Sequence, residues 1–88
     1  MAAYIISYDL LKPIQNYTQL HNAIKAYGTW ARVNESFWVV VTPNSAVQIR
    51  DYLSGFIDGN DRLFVIKSGT EAAWKNVMCE NTWLKDKL

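Results

Sequence analysis

The stretch TWARVNESFWVVVT, residues 29–42, decides the fold. Residues 29–33 and 37–42 are rich in β-branched and aromatic side chains, and a short polar turn around Asn34 and Glu35 separates them. This pattern predicts a β-hairpin of two antiparallel strands. The elements on either side of the hairpin then determine which small fold it belongs to.

One strand and one helix are predicted upstream of the hairpin. Residues 4–8, YIISY, favour a strand, and Pro13 disfavours regular structure in the loop LLKPIQN that follows. A helix comes next, ends at Gly28, and has Asn16 and Gln19 in the pattern of an N-terminal cap. Its apolar residues recur at helical spacing, at Tyr17, Leu20, Ile24 and Tyr27.

A second helix and a fourth strand are predicted downstream. Ser45 and Gln48 have the spacing of a capping box, and the apolar positions that follow are Ala46, Ile49, Leu53 and Phe56. After a turn at residues 58–60, RLFVIKS at residues 62–68 predicts a strand. In the less regular segment from Gly69, Asn81 is predicted to cap a short final helix, TWLKDKL.

The predicted order is strand, helix, strand, strand, helix, strand. It is the order of the α+β ferredoxin-like fold, βαββαβ, in which a four-stranded antiparallel sheet carries both helices on one face. We expect a single domain over residues 1–88, with residues 69–88 forming a C-terminal tail that includes the short helix.

Both faces of this sheet are predicted to be apolar, and two helices on one side cannot cover both. One set of alternating positions holds Val33, Val39, Val41, Leu63 and Val65. The other set holds Ile5, Trp30, Trp38, Val40, Phe64 and Ile66. We expect the tail, with Trp74 and Trp83, to cover part of the second face and a second copy of the chain, in a homodimer, to cover the rest.

The composition excludes several classes of protein. Nine Lys and Arg against eight Asp and Glu, a net charge of +1, argue against a strongly basic nucleic-acid surface. The single cysteine, Cys79, cannot form an internal disulfide, and no stretch approaches the roughly 18 apolar residues of a membrane span. We therefore expect a soluble cytoplasmic protein without a membrane partner. There is no phosphate-binding glycine loop, Ser-His-Asp set or zinc-ligand spacing.

Several segments resemble the small CRISPR-associated spacer-acquisition proteins, called Cas-two-like here. In that family the first strand ends in Tyr-Asp, as in YIISYD at residues 4–9, and the second strand and turn have approximately Arg-Val-Gln-x-Ser before an aromatic residue. In ARVNESFW, Arg32, Val33 and Ser36 match, Asn34 takes the place of the Gln, and Trp38 is the aromatic. The chain is more similar still to the compact SinR-like relatives, over roughly its whole length, through SYDL, KP, YTQLHNAIKAYG, DRLFVIK and the Trp-containing tail.

The resemblance implies a homodimer in which the Tyr-Asp acids of both subunits lie near the two-fold axis. Some family members are metal-dependent nucleases, including endoribonucleases, and others are structural subunits of an integrase. It thus implies a role related to nucleic acids or nucleotides, with Asp9 as catalytic residue and as ligand of a magnesium ion. An equally weighted interpretation is that Asp9 accepts backbone hydrogen bonds in the following loop.

The candidate binding residues around Asp9 are Ser7, Tyr8, Lys12, Arg32, Ser36, Trp30 and Trp38. Arg32 either binds a phosphate or pairs with Asp9 or Glu35. The aromatic residues either stack on bases or pack in the core or a dimer interface. Ser36 and Lys12 also suit an ordinary turn serine and a solvated loop lysine. His21 has no second His and no Cys nearby, so it is not a candidate metal ligand.

Three functions remain open from the sequence. The first is a dimeric magnesium-dependent nuclease or phosphodiesterase that uses the Asp9 pair. The second is a binding module that holds a nucleotide, a nucleotide signal or a short nucleic acid without turnover. The third is a scaffold in phage defence or counter-defence, which contacts a protein partner through the Trp-containing tail.

Overall fold

A computed structural model gives the fold and describes residues 1–11, 17–69 and 71–88. In chain order the elements are β1 (Ala2–Asp9), α1 (Thr18–Lys25), β2 (Thr29–Asn34), β3 (Phe37–Thr42), α2 (Ala46–Ser54), β4 (Arg62–Lys67) and α3 (Asn81–Lys87). The strands form one antiparallel sheet in the order β2-β3-β1-β4, which confirms the predicted α+β class. Among the described helices none has the length and apolar character to cross a membrane.

The predicted elements are found, with small shifts at their ends. The predicted first strand lies inside β1, and β3 has the predicted bounds. Helix α1 begins at Thr18, and the chain leaves it through Gly28, whose N–H donates to the carbonyl of Lys25 at 3.0 Å. Gly28 has a φ of 89°, a conformation that favours glycine. The predicted cap residue Asn16 lies outside the described residues.

The two remaining helix starts differ in how they are capped. The capping box of α2 is confirmed, because the Ser45 hydroxyl accepts from the Gln48 backbone N–H at 3.2 Å and the Gln48 side-chain Oε1 accepts from the Ser45 backbone N–H at 2.8 Å. The predicted cap of α3 is wrong, because Glu80 takes the N-cap position. Asn81 is already helical, and its side-chain oxygen accepts from the indole Nε1 of Trp74 at 3.1 Å.

The helix-covered face of the sheet holds the larger core. Ile6 lies opposite Trp38 on one side and Val65 on the other, so these three side chains share that face. Helices α1 and α2 pack over them, and the fully buried members are Ile6, Leu20, Ile24, Trp38, Val40, Ile49 and Leu53.

The C-terminal tail covers part of the opposite face, as predicted. Ala3, Val33 and Val39 form a second core with Leu84 of α3, which is 1% exposed. Trp74 and Trp83 are half-buried against this cluster. The Met78 N–H donates to the Val33 carbonyl at 2.8 Å, so the tail also lies along edge strand β2.

The predicted grouping of apolar residues by face is wrong for five of them: Ile5, Phe64 and Ile66 lie on the tail-covered face, and Leu63 and Val65 lie on the helix-covered face. Ile5 lies opposite both Val39 and Ile66, so it belongs with the tail-covered face rather than with Trp38. Val65 lies opposite Ile6 and, like Leu63, packs against the helix-side core. Alternation within a strand is visible in a sequence, but the register between strands decides which alternate set faces which side.

The tail leaves the β4 side of this face uncovered. Phe64 is 61% exposed and Ile66 is 45% exposed, and both point to the same side as Ile5 and Ser7. The exposed apolar surface predicted from the sequence is therefore confined to the sheet edge at β4. We call the surface formed by Phe64 and Ile66 the β4 patch.

Truncation of Leu84 tests whether the tail is part of the folded unit. We expect Leu84→Ala to lower the free energy of unfolding by about 2 to 4 kcal/mol, because a buried leucine is replaced by a cavity in the second core. Urea denaturation followed by tryptophan fluorescence measures this. The exposed neighbour Lys85→Ala is the control and should change stability by less than about 0.5 kcal/mol. Equal stability of the two variants would mean that the tail does not stabilise the sheet.

Candidate functional site

The candidate site residues lie on two opposite faces of the sheet. Asp9 and Ser7 belong to the face that carries the tail and the β4 patch. Tyr8, Arg32 and Trp38 belong to the helix-covered face. Successive residues of a strand point to opposite sides, so the Tyr-Asp pair itself is divided between the two faces.

Asp9 forms an ion pair with Arg62. The two residues lie opposite each other in the β1–β4 ladder, and Nη1 of Arg62 is 2.7 Å from Oδ2 of Asp9. Both side chains are about two-thirds exposed, at 65% for Asp9 and 69% for Arg62. They line an open cleft of about 300 Å³ together with Ser7 and Phe64. An acid, a guanidinium, a hydroxyl and an aromatic ring therefore meet at the β4 edge.

Asp61 accepts hydrogen bonds from the loop ends beside this cleft. Accepting such bonds is the structural role that the sequence left open for Asp9. Its Oδ1 accepts from the Leu11 N–H at 2.9 Å. Its Oδ2 accepts from the Tyr17 hydroxyl at 3.2 Å and from the Asp58 N–H at 2.9 Å. The sequence reasoning missed this residue, although an acid three positions after another acid in a DGND turn is a signal of such bonding. The predicted binding residue Lys12 lies outside the described residues.

Tyr8, Trp38 and Arg32 form a packed cluster under the β2–β3 turn. The Tyr8 hydroxyl accepts from the Trp38 indole at 2.9 Å and donates to the Glu35 carbonyl at 3.4 Å. Arg32 donates to the same carbonyl from Nε at 3.1 Å and from Nη2 at 2.7 Å. Of the predicted partners of Arg32, Glu35 is thus the one contacted, through its backbone. Trp38 is fully buried, so its ring has no surface for a base in this arrangement.

The turn residue Ser36 also makes a backbone hydrogen bond. Its carbonyl accepts from the Tyr8 N–H at 3.1 Å, which extends the pairing of β1 and β3 towards the turn. Burial raises the pKa of the Tyr8 phenol above its usual value, so the hydroxyl stays protonated and can keep its donor bond to Glu35. The cluster therefore shapes the turn.

His21 is a residue whose environment the sequence did not reveal. Its ring lies 5.7 Å from the Trp38 ring, between centroids, and 6.5 Å from that of Tyr8. Burial, together with the positive charges of Arg32 and Lys25, lowers the pKa of His21 below its usual value. The position of Lys25 four residues later on the same helix was the available signal, because residues at this spacing share a helix face.

Cations and tryptophan rings alternate on the β2 side of the helix-covered face. Nζ of Lys25 lies 5.2 Å from the centre of the Trp30 ring, and the Arg32 guanidinium carbon lies 5.2 Å from that of Trp38. Such cation–π contacts hold the positive groups next to the rings. Of the candidate aromatic residues on this face, Trp30 is the one that remains half-exposed.

Asp9 is the acid that the described chain offers for a metal ion at the β4 edge. Within residues 1–11, 17–69 and 71–88, no three His, Cys, Asp or Glu side chains are close enough together to hold a metal. A magnesium ion at Asp9 would therefore take most of its ligands from water, from a phosphate or from another molecule. The packing of Trp74 and Trp83 on the sheet accounts for the aromatic content of the tail within one chain.

The lowered pKa of His21 predicts a pH dependence of stability. The folded state binds the histidine proton less tightly than the unfolded state, whose histidine has a pKa of about 6.5. The free energy of unfolding should therefore fall as the pH is lowered from about 8 through the pKa of the folded state. Urea denaturation at a series of pH values, compared with His21→Gln, isolates this contribution, because the sequence has a single histidine. Identical pH profiles of the two proteins would contradict it.

No protein-family model matches the chain, and no solved structure matches it. The resemblance to Cas-two-like and SinR-like proteins thus depends on the sequence segments alone.

Proposed function

We propose that the chain is a ferredoxin-like homodimer of the Cas-two-like kind that hydrolyses phosphodiester bonds with magnesium at a pair of Asp9 carboxylates. The order of strands and helices and the sheet order β2-β3-β1-β4 support the fold assignment, since a split pair of βαβ units has this arrangement. The observation that carries the function is the position of Asp9 on the same sheet face as the uncovered β4 patch.

The β4 patch supports the dimer. Covering Phe64 or Ile66 completely would contribute about 1 to 2 kcal/mol each, because about half of each side chain is already removed from water. A symmetric pair uses the same patch on both subunits, so residues beside the patch on one copy lie beside the patch on the other. Asp9 and Arg62 flank the patch, and a dimer formed there brings both pairs towards the two-fold axis.

The ion pair with Arg62 does not prevent Asp9 from binding a cation. An exposed pair of this kind contributes at most about 1 kcal/mol, so the Asp9 carboxylate would remain able to hold a divalent ion together with its copy in the dimer. Arg62 would then offer a fork of donors to a phosphate oxygen. Bound magnesium supplies a more acidic water and neutralises charge on the phosphate. Ser7 and Phe64 are positioned to contact the remainder of the ligand.

The dimer is tested by replacing the centre of the patch. We expect Phe64→Ser to shift the protein from dimer towards monomer in size-exclusion chromatography with light scattering, because the contact loses its largest apolar group. Val47→Ser is the matched control, since Val47 is also exposed, at 55%, but lies on α2. A wild-type monomer, or equal effects of the two substitutions, would refute this interface.

The chemistry is tested with labelled RNA and DNA in the presence and absence of magnesium. We expect magnesium-dependent cleavage by the wild type and a loss of at least about 100-fold in Asp9→Asn, since the shared ligand is removed. Asp51→Asn is the control, because Asp51 also forms an exposed pair with an arginine, Arg50, at 2.8 Å. Cleavage by Asp9→Asn at the wild-type rate would exclude Asp9 from the reaction.

A second candidate is binding of a nucleotide or nucleotide signal at the same cleft without turnover. The observation that favours it is the existing Asp9–Arg62 pair, which presents a guanidinium to an anionic ligand, while the described residues have no group of three potential metal ligands. In this case a nucleotide at a hundred times its dissociation constant stabilises the protein by about 2.7 kcal/mol, and Arg62→Gln removes that effect. Thermal-shift measurements without magnesium check it, and absence of a shift from every nucleotide would exclude it.

A further inference from the structure

A groove lies between α1 and α2 on the solvent side of the two helices. Two openings, of about 310 and 420 Å³, adjoin there and share Ala23, Ala26 and Tyr52. Volumes of this size are typical of ligand pockets. The groove shares no lining residue with the Asp9 cleft.

The two walls of the groove differ in the size of their side chains. On the α1 side the alanines Ala23 and Ala26 leave room above the helix backbone. The other side is a row of three aromatic rings. The ring centres of Tyr27 and Tyr52 are 6.2 Å apart, and those of Tyr52 and Phe56 are 5.2 Å apart. Because the middle ring, Tyr52, is 50% exposed, this aromatic wall is open to a ligand.

The rim of the groove supplies amide groups. Gln19 and Asn22 of α1 are exposed at the opening that Phe56 also lines. Asn44, which precedes α2, lines the opening at Tyr27. Each of these side-chain amides has N–H donors, so the rim can donate hydrogen bonds to carbonyl groups of a ligand.

The charged side chains near the groove are engaged elsewhere. Lys25 lies over the Trp30 ring, 5.2 Å from its centre, and Arg50 pairs with Asp51 at 2.8 Å. None of the described residues that line the groove has a charged side chain. Burying an unpaired charge against such walls would cost free energy, so the matching ligand is uncharged where it contacts them.

The hydroxyl of Tyr27 is a donor in need of an acceptor. It is buried, and it lies near the Asn44 side chain without forming a hydrogen bond to it or to any other described residue. Burial raises the pKa of the Tyr27 phenol, so the proton stays in place. A buried hydroxyl without a partner destabilises the protein, and a ligand carbonyl would remove that cost. The half-exposed Tyr52 ring beside it can turn aside to admit such a group.

A polyproline II helix has the features that this groove matches. Its proline rings are uncharged and pack on aromatic side chains. Its carbonyls have no partner within the helix, whereas those of an α-helix are already bonded internally, so only the former can use the donors of the groove. It rises about 3.1 Å per residue, and about three residues, one full turn, span the row of rings.

We propose that this groove binds an uncharged, proline-rich segment of a protein partner in the polyproline II conformation. Proline rings pack against Tyr52 and Phe56, and backbone carbonyls of the segment accept hydrogen bonds from the rim amides and from the Tyr27 hydroxyl. The site needs neither a dimer nor Asp9, so it stands independently of the function proposed for the β4 edge.

The test is titration of the full chain with a decamer of proline, blocked at both ends so that it carries no charge. Calorimetry measures the affinity, and two-dimensional NMR of the ¹⁵N-labelled protein locates the contact. We expect saturable binding with a Kd below about 1 mM and the largest chemical-shift changes in α1 and α2. A blocked decamer of alternating glycine and serine is equally uncharged but flexible and without rings, and it should not bind.

Three substitutions examine the two walls and the hydroxyl. Tyr52→Ala removes the exposed ring and should weaken binding at least about tenfold, as the loss of a central tyrosine does in other interfaces. Ala26→Leu keeps a good helix former but fills the groove from the α1 side, and it should weaken binding by at least as much. Tyr27→Phe removes the unpartnered hydroxyl alone, so it should weaken binding several-fold without lowering the thermal stability of the free protein.

Val47→Ala is the matched control for the wall substitutions. Val47 is an exposed apolar residue of α2, at 55%, and does not line the groove, so this variant should bind the proline decamer like the wild type. Phe64→Ser should also bind it like the wild type, because the β4 patch takes no part in the groove.

Three results would overturn the proposal. One is the absence of binding of the proline decamer to the wild type at about 1 mM, and another is equal binding of the glycine–serine decamer. The third is binding that persists in Tyr52→Ala and Ala26→Leu but is lost in Phe64→Ser, which would place the peptide on the β4 patch. The opposite pattern supports the groove whatever the outcome of the nuclease assay.

Discussion

The sheet has to exclude water from both of its faces, and the rest of the structure depends on this constraint. β1 and β3 are the central strands, and they carry Ile6 and Trp38 towards the helices and Ala3 and Val39 towards the tail. Two helices of eight and nine residues cover one face. The tail covers part of the other face. It has no regular structure over most of its length, but Leu84 and the two half-buried tryptophans supply the apolar area that this face needs.

The division of the candidate site follows from the same two-sided sheet. A Tyr-Asp pair at the end of a strand places the ring in one layer and the carboxylate in the other. Tyr8 is consequently used to hold the turn through Glu35, whereas Asp9 is left at the surface beside Arg62. The charged side chains are thereby separated into the Asp9–Arg62 ion pair at the β4 edge and a cluster of cations and tryptophan rings at the β2 edge.

Local features of the fold could be predicted from the sequence, and long-range ones could not. The hairpin and the capping box at Ser45 depend on residues within a few positions of each other, and both are found. The partner of Asp9 is 53 positions away, and nothing in either segment specifies that Arg62 lies opposite it. The face on which Ile5 lies depends likewise on the register with Val39 and Ile66, which is set by the packing of the whole sheet.

The hydrogen bond from Met78 to Val33 has a consequence for how many copies can assemble. A sheet has two edges, and an exposed edge is a template for another strand. At the β2 edge the tail occupies the carbonyl of Val33, so extension of the sheet there is obstructed. Growth is then restricted to the β4 side, and a symmetric contact at β4 uses that side on both molecules. A symmetric contact made through β4 would therefore close at two subunits rather than continue into a filament.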